Sequence, residues 1–268
     1  MNVSTGKFGK VLVLAAHPDD ETIACAGLLQ RASSAQVVFA VDGAPRHYGF
    51  EKKFGSLQNY SFARFREASR ALSFLTHCSF RRLAAEDGTS FSDQHLFLSL
   101  PFAFLSLQRF AREFSPDLLV SHAFEGGHID HDACYFLARQ LALSFGLPMF
   151  IFPLYWKSAQ GQDVFQQFRG NRDGEFALQL SSHELQVKRR MFREYRTQQR
   201  LTAVFSPETE RFCYLGQTED PAPHWSGYHF ENRAVPYKTE SFMQLADDFR
   251  QSTADPAWRR SASFEPRT

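Results

Sequence analysis

The order in which apolar runs and helical segments follow one another constrains the fold of this chain most strongly. Short apolar runs typical of buried strands occupy residues 10–16, 36–41, 117–121 and 149–154, with a weaker one at residues 80–83. Helical spacing lies between them, over residues 21–31, 61–75, 100–114 and 130–145. Because strands that alternate with helices pair in parallel, we predict an α/β fold with an open, mainly parallel sheet and helices on both faces. The active site of such a fold lies at the carboxyl ends of the strands.

The remaining segments are less regular. Residues 42–59 are polar and aperiodic, which predicts a loop, whereas residues 182–199 predict a charged helix. The pattern weakens beyond residue 201, and the tail from residue 255 is predicted to be frayed. A length of 268 residues allows one large domain or two small ones.

Composition excludes several classes of function. Lys and Arg total 30 against 29 for Asp and Glu, and no long basic block is present, so we expect no nucleic-acid partner. No apolar stretch approaches the ~20 residues of a membrane span. The run VLVLAA near the N-terminus is too short for a signal peptide. The four cysteines are widely scattered, which is typical of free thiols in a reducing compartment, and we expect a cytoplasmic protein.

Two polar clusters follow predicted strands. The first is HPDDE at residues 17–21, directly after the first strand, and the second is GGHIDHD at residues 126–132, after the strand DLLVS. Both loops belong to the same end of the sheet, where ligands bind in such folds. We therefore expect the two clusters to meet in space.

Helix capping is the alternative explanation of these clusters. Asp19 or Asp20 could cap the following helix, and acids near a helix N-terminus favour its dipole. Capping does not account for His17, nor for two histidines in the second cluster. Two imidazoles and one carboxylate commonly hold Zn²⁺ with an open position for water, and they also hold Fe(II) in oxygenases. The extra acid and histidine favour hydrolysis, which needs a base for water and a donor for the oxyanion.

The stretches AAHPDDE and EGGHIDHDA resemble the LmbE-like family, also called the PIG-L or N-acetylglucosaminyl deacetylase family. The resemblance extends to FARFREASRAL, AAEDG and KRRMFREYRTQ, over about residues 11–212. It implies a Rossmann-like α/β fold. It also implies a single deacetylase domain over residues 1–268, with a core at about 8–212 and a C-terminal extension over 213–268.

The resemblance implies a role for each residue of the two clusters. The metal ligands would be His17, Asp20 and His131. The expected metal is Zn²⁺, with Fe²⁺ or another divalent ion as an alternative. Asp19 would be the general base that takes a proton from water. His128 would stabilise the tetrahedral oxyanion or protonate the leaving amine, and Asp130 would orient a histidine.

Two substrate-binding residues rest on shorter matches. Arg64 matches the family arginine that reaches the substrate, and its alternative is a helix-surface pair with Glu67. Asp87 matches the aspartate that holds sugar hydroxyls, and its alternative is a turn with Gly88. The sequence also departs from the family pattern, since Ile129 replaces a usual proline and Tyr195 a common histidine.

The resemblance implies an N-deacetylase that acts on an acetamido sugar of the N-acetylglucosamine type or on a glycosylated small molecule, with release of acetate. An amidase for a bulkier amide conjugate is an alternative within the family. A non-catalytic sugar-binding member of the same fold and an Fe(II) oxygenase are the alternatives from other classes. A homo-oligomer is also possible on this resemblance.

Overall fold

The computed structural model describes residues 6–46, 48–170, 172–216 and 238–254. Its strands are β1 (Phe8–Ala15), β2 (Ala32–Phe39), β3 (Cys78–Arg82), β4 (Leu118–His122), β5 (Met149–Phe152), β6 (Tyr155–Lys157), β7 (Asp163–Phe165), β8 (Glu175–Ala177) and β9 (Arg211–Leu215). Its α-helices are α1 (Asp20–Arg31), α2 (Leu57–Leu72), α3 (Leu100–Phe114), α4 (Ile129–Phe145), α5 (Ser182–Glu194), α6 (Gln199–Thr202) and α7 (Thr239–Ala254).

Seven strands form one sheet in the order β3-β2-β1-β4-β5-β9-β8. The first five strands of this order pair in parallel, whereas β9 is antiparallel to β5 and β8 is antiparallel to β9. Strands β6 and β7 form a separate antiparallel pair. The predicted α/β fold with a mainly parallel sheet is confirmed.

The central strand β1 is buried on both faces. Leu12 and Leu14 pack in one hydrophobic cluster with side chains of α3, α4 and α7. Val11 and Val13 pack on the opposite face with side chains of α1, α2 and α5. A parallel strand covered on both sides loses the alternation of polar and apolar residues, which is why its sequence is continuously apolar.

The structure corrects several predicted elements. Residues 42–59 are not all loop, because they hold a 3₁₀ turn at Phe50–Lys53 and the start of α2, whose cap is Ser56. The predicted helix over residues 182–199 ends at Glu194 as an α-helix, and a 3₁₀ turn follows. Strands β6 to β9 were not predicted, since three of them have only three residues each. The predicted core boundary at residue 212 falls within β9, and the tail from residue 255 lies outside the described residues.

All four cysteines are free thiols, as the sequence predicts. Cys25 and Cys134 are fully buried in α1 and α4, where they pack as small apolar side chains. Within the described ranges, no helix has the length and apolar character needed to cross a bilayer.

Candidate metal centre and active site

The carboxyl ends of β1 and β4 bring the two polar clusters together. These strands pair directly, with Val13 opposite Val120, so the loops that follow them leave the sheet side by side. The loops open on a cleft of about 360 Å³. Its lining includes five of the predicted site residues from the two clusters: His17, Asp19, Asp20, His128 and His131.

Donor atoms of three side chains in this cleft have the mutual spacing of metal ligands. His17 Nδ1 lies 3.3 Å from His131 Nε2 and 3.4 Å from Asp20 Oδ2. The third distance, from His131 Nε2 to Asp20 Oδ1, is 3.6 Å. Ligand atoms about 2.1 Å from a tetrahedral Zn²⁺ lie about 3.4 Å apart. The structure therefore brings the three predicted ligands into an arrangement that fits one small divalent cation.

The Asp130 carboxylate lies beside the ring of His17, on the side away from Nδ1. Asp130 Oδ2 lies 3.4 Å from His17 Nε2. The carboxylate is itself held by the backbone N–H groups of Gln94, at 2.6 Å, and Leu96, at 3.1 Å. A carboxylate on the outer nitrogen orients a metal-binding imidazole and raises its basicity. This geometry turns His17 Nδ1 towards Asp20, as expected for a residue that orients a histidine.

The buried ionisable groups around His17 are mostly carboxyl groups. Those of Asp19, Asp20, Asp93 and Asp130 are buried, together with the guanidinium of Arg64. Burial opposes charge on His17, but the carboxylates of Asp93, Asp130 and Asp20 raise its pKa well above the usual value. Burial likewise works against ionised Asp20, yet its histidine neighbours hold its pKa well below the usual value. Such a cluster favours a bound cation.

Asp19 does not cap α1, although it precedes the helix. Its side chain makes no capping hydrogen bond, and its backbone has φ 140° and ψ −30°. A non-glycine residue in this region costs about 1–3 kcal/mol and persists only where its surroundings fix it. The carboxylate instead accepts a hydrogen bond from Arg64 Nη2 at 3.3 Å. Burial raises the pKa of Asp19 to about 8, and the charge of Arg64 opposes that rise.

Arg64 belongs to the site rather than to the surface. It is buried, and it donates from Nη1 to the carbonyl of Gly43 at 2.7 Å and from Nη2 to the carbonyl of Pro18 at 2.9 Å. The alternative pair with Glu67 does not form, because the Glu67 carboxylate accepts from the N–H and hydroxyl of Thr197. Arg64 lines the cleft, and its contact with substrate stays a prediction.

His128 stands at the start of α4 and is half-buried in the cleft wall. Its Nδ1 accepts the backbone N–H of Asp130 at 3.1 Å, so the neutral ring carries its proton on Nε2. Its ring centroid lies 4.6 Å from that of His17 and 4.9 Å from that of His131. The imidazole is therefore placed as a hydrogen-bond donor next to the candidate metal ligands.

A tight glycine turn sets the position of this histidine. Asp132 Oδ1 accepts the N–H groups of Glu125, at 2.9 Å, and Gly126, at 3.2 Å. A Cβ on Gly127 would lie 1.8 Å from the carbonyl oxygen of Tyr155. The close approach of these two chain segments therefore requires glycine at position 127.

Asp87 does not join the other predicted site residues. It lies in an exposed turn, where its Oδ1 accepts the N–H of Thr89 at 2.9 Å. Gly88 follows with φ 82°, so the segment is the turn that Asp-Gly favours. Asp87 is not part of the cleft lining, and its assignment to sugar hydroxyls stays a prediction without support from this geometry.

Two buried residues of the site were not predicted from the sequence. Asp93 lines the cleft, with Oδ1 3.6 Å from His17 Nε2, but its surroundings FSDQH form no recognisable motif.

His122 is the second of these residues and ends β4. Its Nε2 accepts the N–H of Ala16 at 3.0 Å and lies 3.4 Å from Asp20 Oδ2. Asp20, His122 and His131 form an alternative group of metal donors. The hydrogen bond from Ala16 occupies the Nε2 lone pair, which favours His17 as the ligand. The sequence offered one signal for His122, which directly follows the predicted strand at residues 117–121, where site residues are expected.

Comparison with known proteins gives one family match and several shared folds. The model of the PIG-L family, described as GlcNAc-PI de-N-acetylase, matches residues 12–142. The zinc-inhibited form of teicoplanin deacetylase Orf2 is 14% identical with a TM-score of 0.55, over 76% of this chain and 97% of that one. The A40926 pseudoaglycone deacetylase Dbv21 is 16% identical with a TM-score of 0.54, over 78% and 98%. N,N'-diacetylchitobiose deacetylase from Pyrococcus horikoshii is 15% identical with a TM-score of 0.51, over 87% and 88%.

A comparison with curated protein sequences finds no match. At these identities the solved structures show a shared fold, whereas the family model matches the segment that carries both polar clusters. Residues 12–142 match the PIG-L (LmbE-like) family, a family of deacetylases.

Proposed function

We propose that this protein is a metal-dependent N-deacetylase that hydrolyses the acetamide of an amino sugar and releases acetate and a free amine. The observation that carries the proposal is the spacing of 3.3–3.6 Å among donor atoms of His17, Asp20 and His131. We assign the protein to the cytoplasm on its free thiols alone. Formation of a homo-oligomer stays a prediction.

The donor set favours Zn²⁺, with Fe²⁺ or another divalent ion as alternatives. Such an ion, when bound, lowers the pKa of water towards ~7 and polarises an acyl carbonyl. The positive charges of Arg64 and of a bound cation favour ionised Asp19 against the burial that raises its pKa to about 8. Asp19 then takes the proton of the attacking water, while Arg64 keeps its carboxylate in place. His128 donates from Nε2 to the oxyanion that develops on the acyl oxygen, since its Nδ1 is occupied by Asp130 N–H. Asp130 holds His17 in its ligating orientation.

The mouth of the cleft favours a substrate with an apolar part. Tyr48 and Phe50 stack with ring centroids 5.6 Å apart, and both line the cleft, as do Leu201 and Val204. These four side chains remain 39–56% exposed. Apolar groups exposed beside a reaction centre bind apolar ligand surface. This lining favours a glycosylated small molecule over a free sugar, and it supports an amidase for a bulkier amide as the second candidate.

The proposal is tested by measuring the carboxylic acid that metal-loaded protein releases from a panel of amides, which is acetate where the acyl group is acetyl. The substrates are N-acetylglucosamine, its glycosides with aromatic or alkyl groups, and amides of the same sugar with longer acyl chains. We expect the glycosides to be deacetylated faster than the free sugar. Faster release of the longer acyl groups would select the second candidate instead. Absence of any amide hydrolysis by a protein that holds one metal per chain would contradict both.

A further inference from the structure

Two buried side chains that the proposed steps do not use, Glu21 and Tyr195, form a hydrogen-bonded chain to the loop that carries Asp19. Glu21 lies in the first turn of α1 and is fully buried. Its Oε2 accepts the backbone N–H of Asp19 at 3.1 Å. Its Oε1 accepts the hydroxyl of Thr22 at 2.6 Å and also the hydroxyl of Tyr195. Both oxygens of the carboxylate are therefore engaged.

The peptide group between Pro18 and Asp19 is bound at both of its polar ends. Arg64 donates to the carbonyl of Pro18, and Glu21 accepts from the N–H of Asp19. This is the peptide that precedes the positive φ of Asp19, a conformation that relaxes unless neighbouring groups fix it. The direction of the Asp19 carboxylate depends on that backbone, because Cβ departs from the same Cα.

Tyr195 connects this loop to a part of the chain beyond the matched family segment. It directly follows α5, which packs against α1 and α2, and its side chain is fully buried. Its hydroxyl donates a hydrogen bond to Oε1 of Glu21 and so restrains the rotamer of that side chain. Neither residue lines the cleft itself.

We propose that Glu21 and Tyr195 are positioning residues that hold the peptide between Pro18 and Asp19 and thereby aim the carboxylate of the general base. The inference rests on the proposed function of Asp19. It predicts that loss of one buried hydroxyl outside the cleft lining slows the chemical step without weakening the binding of substrate or metal.

The test uses Tyr195→Phe, which removes the hydroxyl and keeps the ring, and Glu21→Gln, which keeps the shape but leaves one oxygen fewer to accept. We expect each to lower kcat roughly tenfold or more with KM and metal content unchanged, because small misplacement of a catalytic group slows catalysis steeply. The matched control is Thr253→Val, which removes a buried hydroxyl in α7, bonded to the carbonyl of Phe249. Its kcat should equal that of the wild type.

A second measurement does not depend on activity. Hydrogen exchange of the Asp19 amide, followed by NMR, should quicken in Tyr195→Phe and stay unchanged in Thr253→Val. Unchanged exchange at Asp19, or a wild-type kcat in both site variants, would overturn the inference. A wild-type enzyme that hydrolyses no amide, but whose Asp19 exchange responds to Tyr195→Phe, would contradict the proposed function and leave the positioning role supported.

Discussion

His17 Nδ1 lies 3.3 Å from His131 Nε2, although 114 residues separate them in the chain. The two nitrogens come from loops after β1 and β4, which are neighbours in the sheet. Two imidazole nitrogens at this distance either share a proton or bind one cation, since facing lone pairs repel. The Asp20 carboxylate, 3.4 Å from one and 3.6 Å from the other, favours the cation.

Replacing one of these ligands should remove the metal. We expect His131→Ala to lower the bound divalent metal from one per chain to near zero after dialysis, measured by plasma mass spectrometry, because two remaining donors bind a divalent ion weakly. His183→Ala, which changes an exposed histidine of α5, is the control and should keep its metal. Full metal content in His131→Ala would show that the ion is held elsewhere.

Replacing the base should separate turnover from metal binding. Asp19→Asn keeps the size of the side chain but cannot take a proton, so we expect kcat to fall by about 10²–10⁴ with the metal retained. The change is to be measured as acetate release per bound metal. Wild-type turnover in this variant would exclude Asp19 as the base.

The glycine turn before α4 should not tolerate any side chain at position 127. Gly127→Ala places a Cβ against the carbonyl of Tyr155, and relief of that overlap should cost about 1–3 kcal/mol of unfolding free energy. Gly88→Ala is the comparison, because no atom lies within 4 Å of the added Cβ and only its φ of 82° resists the change. Urea unfolding checks both, and equal stability of Gly127→Ala and wild type would contradict the close approach.

Acid should release one stabilising contact of α5. The N–H of Ser181 donates to Glu184 at 2.7 Å, and Arg31 Nε donates to the same carboxylate at 2.7 Å. The Arg31 hydrogen bond leads the effects that lower the pKa of Glu184 to about 2. Because the folded pKa is depressed, the stabilisation is present above the unfolded value near 4.5 and is lost as pH falls towards 2.

Glu184→Gln isolates this contribution. We expect the variant to be about 1 kcal/mol less stable than the wild type at pH 7, the usual worth of a helix cap. The difference should shrink as the pH is lowered from 4.5 towards 2. A difference that stays constant over this range in urea unfolding would show that ionised Glu184 is not its source.

The sequence predicted those parts of the site that follow buried strands. His17 to Asp20 come just after β1, and His128 to His131 follow β4 after five further residues. An apolar run followed by a polar cluster can be recognised in the sequence alone. Asp93 was missed because its place beside His17 depends on tertiary packing of an irregular segment. Strands β6 to β8 have three residues each, too few for a period to emerge. Asp87 was assigned to the site on a short sequence match alone. In the structure this residue lies in an exposed turn.

We propose that hydrolysis of an acetamide requires one divalent cation held by His17, Asp20 and His131. The decisive measurement adds Zn²⁺ or Fe²⁺ stepwise to chelator-treated protein and follows acetate release from an N-acetylglucosamine glycoside. We predict that the rate rises from near zero to a plateau at one metal per chain, and that His131→Ala shows no rise. Acetate release that is unchanged by removing the metal, or equal in His131→Ala, would contradict the claim.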